Sequence, residues 1–153
     1  METLKSRIKG HEGFRPEPSR DAGGWSIGYG HYIGNGQCCQ ISKQVADLVL
    51  DEDVHKATFE YSSLGLELDQ VRQDVLIELI FWHGLKGWLG FVLANAALEG
   101  GHFGIVADEM MDSNSGRNHP KRMGKLAELM RTGLGTEVAP MAAAVPTVLL
   151  TSK

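Results

Sequence analysis

HEGFRPEPSRDAGGWSIGYGH, residues 11–31, is the stretch on which the reading of this chain turns. Glu12 closes an N-terminal segment in which Leu4 and Ile8 stand four apart, on one face of a helix predicted over residues 2–11. Gly10 and Gly13 flank Glu12, so it falls at or just beyond the C-terminus of that helix. Asp21 follows nine residues later, in the turn sequence Asp-Ala-Gly-Gly. Ser26 then opens SIGYGH, where alternating side chains and two glycines predict a tight hairpin. Pro16, Pro18 and the seven glycines between positions 13 and 36 exclude helix and suit a small antiparallel sheet.

Two carboxyl groups on opposite sides of such a turn fit the cleavage of a glycosidic bond. One protonates the leaving oxygen, and the other activates water or stabilises the developing cation. Glu12 is the candidate acid and Asp21 the candidate base, with the Ser26 hydroxyl placed to hold a water. The bland alternatives are a solvated helix-end glutamate, a turn-forming aspartate and a serine at a strand start. GYGHYIG lacks both the dinucleotide spacing and the Gly-Lys-Ser/Thr of a phosphate loop, so a nucleotide site is rejected.

Ser42 is a plausible N-cap for a helix to about Ser62, with Val45, Leu48, Val49 and Glu52 on one face and Ala46, Asp53 and Ala57 on another. Asp69 could cap a second helix, whose Val71, Val75, Leu76, Leu79 and Ile80 form a stripe wide enough for a central core element. Shorter helices are predicted around Leu85–Leu89, over Phe91–Glu99, over His102–Ser113 and over Pro120–Arg131, the last with Pro120 in its first turn.

The 153 residues suffice for one domain with a real core, or two small lobes sharing one. A net charge of −4 gives no hint of a nucleic-acid partner. Locally, residues 114–131 carry Arg117, Lys121, Arg122, Lys125 and Arg131 against Glu128, a basic run whose default explanation is a solvated helix face. No apolar run approaches the ~20 residues of a membrane span. METLKSRIKG has no signal-like apolar stretch, so a cytoplasmic protein is expected. Cys38 and Cys39 are adjacent, too close for an ordinary disulfide, and read as free thiols. The six histidines show no HExxH pair, and neither metal nor cofactor is expected.

The run EGFR, the aspartate that follows and the hydroxyl before IGYGH resemble the phage-type lysozymes of glycoside hydrolase family 24, the endolysins of tailed phages. Serine stands here for the family's threonine, and the gap from Asp21 to it is one residue short. LDQVRQDVLIELIFWHGLKGWLGF, ADEMMDS and KRMGKLAELMRTG are similar in order and spacing to the family's helical lobe, so the resemblance covers roughly residues 4–135.

That resemblance implies a mainly helical, bilobed α+β fold. A catalytic domain over 1–135 would comprise a small sheet lobe (about 12–41), a linking helix (about 42–62) and a helical lobe (about 63–135) that takes in the N-terminal helix. It implies cofactor-free, inverting hydrolysis of the β-1,4 bond between N-acetylmuramic acid and N-acetylglucosamine, for host lysis. The partner would be peptidoglycan glycan strands, met by a monomer held in the host cytoplasm until holin-type release. Matching positions imply Tyr32, Phe81, Ala94 and Glu109 lining the cleft, although Phe81 equally suits the core. They also imply a His31–Asp53 tie between sheet and linking helix, and Arg122 reaching Glu12 across the cleft. Trp82 and Ser115 exchange bulk relative to the family, which predicts that they face each other. The tail 136–153 has no counterpart; Pro140 and Pro146 interrupt it and only Lys153 is basic, which argues against stable membrane insertion. The rival readings are a lytic transglycosylase, which needs only the acid, and a non-catalytic glycan-binding phage module.

Overall fold

The computed structural model describes residues 2–21, 23–35 and 40–133. The readings of Cys38, Cys39 and the tail 136–153 lie outside the described residues. In chain order the elements are α1 (Leu4–Glu12), β1 (Arg15–Asp21), β2 (Gly24–Gly28), β3 (His31–Tyr32), α2 (Lys43–Ser62), α3 (Gln70–Leu89), α4 (Val92–Glu99), α5 (Phe103–Asp112), α6 (Asn114–Asn118) and α7 (Pro120–Thr132). This is the mainly helical α+β architecture expected, with one small antiparallel sheet.

Side-chain caps start three of the long helices. Thr3 Oγ1 accepts from Ser6 N–H, Ser42 Oγ from Val45 N–H and Asp69 Oδ1 from Arg72 N–H, satisfying donors that a helix start leaves open. The sheet runs β1-β2-β3, with Asp21 paired to Gly24 and Ser26 flanked by Ser19 and Tyr32. Pro16 and Pro18 fall on the edge strand β1, where the register to β2 is irregular between Arg15 and Ser19. Such positions tolerate the missing N–H of proline.

The larger core gathers around α3. Val75, Leu76, Leu79 and Ile80 are fully buried against Met110, Met123, Leu126 and Met130 from α5 and α7. A second, smaller core joins Ile8, Tyr29, Ala46 and Leu50 under the sheet. Leu4, Val54 and Phe81 pack on both, so α1, α2 and α3 contribute to both cores. The helix predicted around Leu85–Leu89 is continuous with α3 by hydrogen bonding, but Gly84 breaks helical geometry there (φ 71°, ψ 164°). Of the two α2 faces legible in sequence, the one bearing Ala46 and Ala57 turns inward, while Leu48 on the other stays 66% exposed. The predicted His102–Ser113 helix is α5. The five-residue α6 after it went unread, because Ser113 ends one helix and caps the next.

Candidate active site

A cleft of about 1020 Å³ lies between the sheet and the helices, bordered by the last turn of α1, by β1 to β3, by α3 and by the start of α7. Glu12 enters it as the final residue of α1, at the helix end where the sequence placed it. Gly30, in the turn after β2, lets the backbone approach that carboxyl. A Cβ built there would stand 2.8 Å from Glu12 Oε2, at a φ of +83° that favours glycine. On the other side Arg122 Nη1, from α7, donates to Glu12 Oε1 at 2.6 Å.

Asp21, Ser26 and Tyr32 border the same cleft from the sheet. Alternation along β1 and the cross-strand pairs put all three on one face. Asp21 is exposed, and its Oδ1 accepts from Gly23 N–H at 2.8 Å, which fixes the carboxylate while leaving its other oxygen to solvent. Tyr32 is 64% exposed. Phe81 both borders the cleft and packs on the two cores, so its two readings coexist. His31 Nδ1 lies 2.8 Å from Asp53 Oδ2, joining β3 to α2.

Ala94 and Glu109 are not brought to this cleft. They border a second depression of about 480 Å³ with Gly87, Phe91 and Ser115, and Ala94 is almost wholly buried. Ala94 is on α4, which makes a 97° angle with α3, and Glu109 is on α5. His119 lies between Trp82 and Ser115, meeting the Trp82 ring and donating its N–H to the Ser115 carbonyl at 2.8 Å. Ser115 belongs to the second depression, whereas Trp82 borders the first and is only half-buried. The Arg122 guanidinium sits 4.1 Å over the Trp82 ring, His83 stacks on it at 4.3 Å and His119 meets it edge-on at 5.2 Å. Bulk at position 82 therefore supports a cation.

Behind Arg122 lies a group the sequence reading missed. Glu78 of α3 is fully buried, with Oε2 accepting from Arg7 Nε at 2.6 Å. Its Oε1 lies 2.7 Å from His11 Nδ1 and 3.4 Å from Arg122 Nη2. Burial pushes this carboxyl up, but the His11 hydrogen bond and the charges of Arg7 and Arg122 outweigh it and hold Glu78 below its ordinary value. A single acid inside the apolar run VLIELIFW was the available signal, since a buried carboxylate needs partners. Nearby, burial above all, helped by the charge of Arg122, pushes His83 down to about 4.

The basic run of residues 114–131 is largely consumed in pairs. Arg122 turns inward, Arg131 reaches Asp108 at 2.8 Å, Lys125 reaches Glu2 at 2.6 Å, and Arg117 binds the Asp112 carbonyl and Asn114. Among the described residues, no three His, Cys, Asp or Glu side chains converge as a metal site.

A family model described as phage lysozyme matches residues 9–129, which include α1's last turn, the whole sheet and most of α7. A search of curated proteins gives no match.

Proposed function

The chain belongs to the phage lysozyme family, whose members degrade peptidoglycan, and from that premise we propose a specific reaction for it. The enzyme hydrolyses the β-1,4 bond from N-acetylmuramic acid to N-acetylglucosamine in a single displacement, and serves lysis of the phage's host. Glu12 gives its proton to the glycosidic oxygen as the bond to the anomeric carbon breaks. Asp21 takes a proton from a water attacking that carbon from the opposite face, and the Ser26 hydroxyl orients the water. Tyr32 and Phe81 flank the sugar rings.

One observation carries this reading: two carboxyl groups border one cleft in contrasting surroundings. Glu12 is clasped between Gly30 and Arg122, and Asp21 is open to solvent. Contrasting environments are how two like groups divide acid and base roles.

The test is clearing of purified peptidoglycan, with mass spectrometry of the released ends. Glu12→Gln, isosteric but unable to donate the proton, should nearly abolish clearing while thermal unfolding shows an intact fold. Asp21→Asn should lower hydrolysis by about 10²-fold or more. Released muramic ends should be reducing sugars. Anhydro ends, with Asp21→Asn nearly as active as the parent, would mean transglycosylation instead. Near-normal clearing by a folded Glu12→Gln protein would remove Glu12 from the chemistry.

A further inference from the structure

The Glu12–Arg122 contact poses a problem for an acid. Arg122 Nη1 stands 2.6 Å from Glu12 Oε1 as the partner of a carboxylate, yet the proposed reaction starts from a carboxylic acid at that position. Arg122 is itself only 11% exposed, so a Glu12 that takes up a proton threatens to leave a buried cation unpaired. Unpaired buried charge is strongly destabilising.

We infer that Glu78 is a positioning residue for the Glu12 acid: it is the anion that keeps Arg122 paired while Glu12 holds the proton it will donate. The arrangement is built from three helices. Arg7, His11 and Glu12 come from α1, Glu78 from α3 and Arg122 from α7, with His119 reached through the Trp82 ring. Glu78 is fully buried and does not itself border the cleft; it reaches the cleft through Arg122 and through His11, which borders it. Arg122 spans the two acids, with Nη1 on Glu12 and Nη2 facing Glu78 at 3.4 Å, and the Trp82 face fixes the guanidinium plane between them. Arg7 and His11 hold the Glu78 carboxylate ionised and in place from behind. The cluster thus keeps one permanent anion for Arg122 and lets the other acid change charge.

This inference rests on Glu12 being the general acid, and the experiment separates the two claims. The measurement is the initial clearing rate of purified peptidoglycan against pH for the full chain and for three variants. Glu78→Gln deletes the permanent anion, so the alkaline limb, which reports loss of the acid's proton, should move acidward by about one pH unit. Arg7→Met deletes a cation from behind Glu78 and should move the same limb the other way. A purely structural role would lower both rates at every pH and leave the limbs in place. Stationary limbs, or limbs moving in the same direction, would overturn the inference. Should Glu78→Gln fail to fold, Arg7→Met decides: a limb that stays or moves acidward sinks the idea. Glu12→Gln is the control. Its inactivity together with unmoved limbs overturns this inference alone, whereas its activity overturns the general-acid reading as well.

Discussion

A methyl group on Gly30 is the smallest change that should disable the cleft. The position combines a φ of +83° with the Glu12 carboxyl standing where a Cβ would go. Left-handed backbone costs an ordinary residue roughly 1–2 kcal/mol. The contact with Oε2 adds a second penalty, relieved only if Glu12 swings away from Arg122 or the turn shifts. Gly30→Ala should therefore lose at least the ~1–2 kcal/mol of backbone strain by denaturant unfolding, and lose far more clearing activity than that destabilisation explains. Gly34→Ala is the comparison, since its φ is also positive but nothing among the described residues lies within 4 Å of its Cβ. It should show the stability loss and keep the activity. Equal activity in the two variants would mean that Gly30 serves the turn and not the acid.

Among elements, the α5–α6–α7 corner shows both what a sequence discloses and what it conceals. Caps were legible because they are local: Ser42, Asp69 and Pro120 each announce a helix start within one turn of chain. The hairpin and the acid at the end of α1 were legible for the same reason. α6 was not, because one serine serves both helices. Ser113 Oγ donates to Met110 O at 2.6 Å and accepts from Gly116 N–H at 2.9 Å. The Glu12–Arg122 contact and the His31–Asp53 tie were reachable through a known family pattern, whereas the role of Glu78 depends on partners far apart in sequence. Periodicity carries no record of those. At this corner Gly116 is buried, and a Cβ there would lie 2.6 Å from Met110 O and closer still to Met111 O. Carbonyl oxygens of a helix cannot rotate aside as a flexible side chain would. Gly116→Ala should thus cost about 2–3 kcal/mol, in the upper part of the overpacking range, despite alanine's better helix propensity. Thermal unfolding of the variant checks this, and an unchanged or raised midpoint would show that the α5 end yields easily.

At the scale of the whole molecule, the two cores are held together by α1, α2 and α3, and the charged cluster behind the cleft adds α7 to that frame. Two of its groups make global stability depend on acid. His83, stacked on Trp82 with a buried Nε2 that has no hydrogen-bond partner among the described residues, has its pKa pushed by burial from 6.5 down to about 4. Between those values the unfolded chain binds more protons, so stability falls as pH drops from about 6.5 to 4. Discounted for the partial exposure of the ring, the loss is about 1–2 kcal/mol. Glu78 is held below 4.5, so its contribution is complete above 4.5 and disappears only as pH falls through the lower folded value. Acid unfolding should therefore set in gradually below pH 6.5 and steepen below 4.5. His83→Phe keeps an aromatic ring against Trp82 and removes the group that titrates. Its midpoint should stay level from pH 6.5 to 4.5 while that of the parent declines, and both should fall together at lower pH, where Glu78 governs. A parent midpoint as level as that of His83→Phe over the upper window would show that the imidazole takes its proton in the fold without cost.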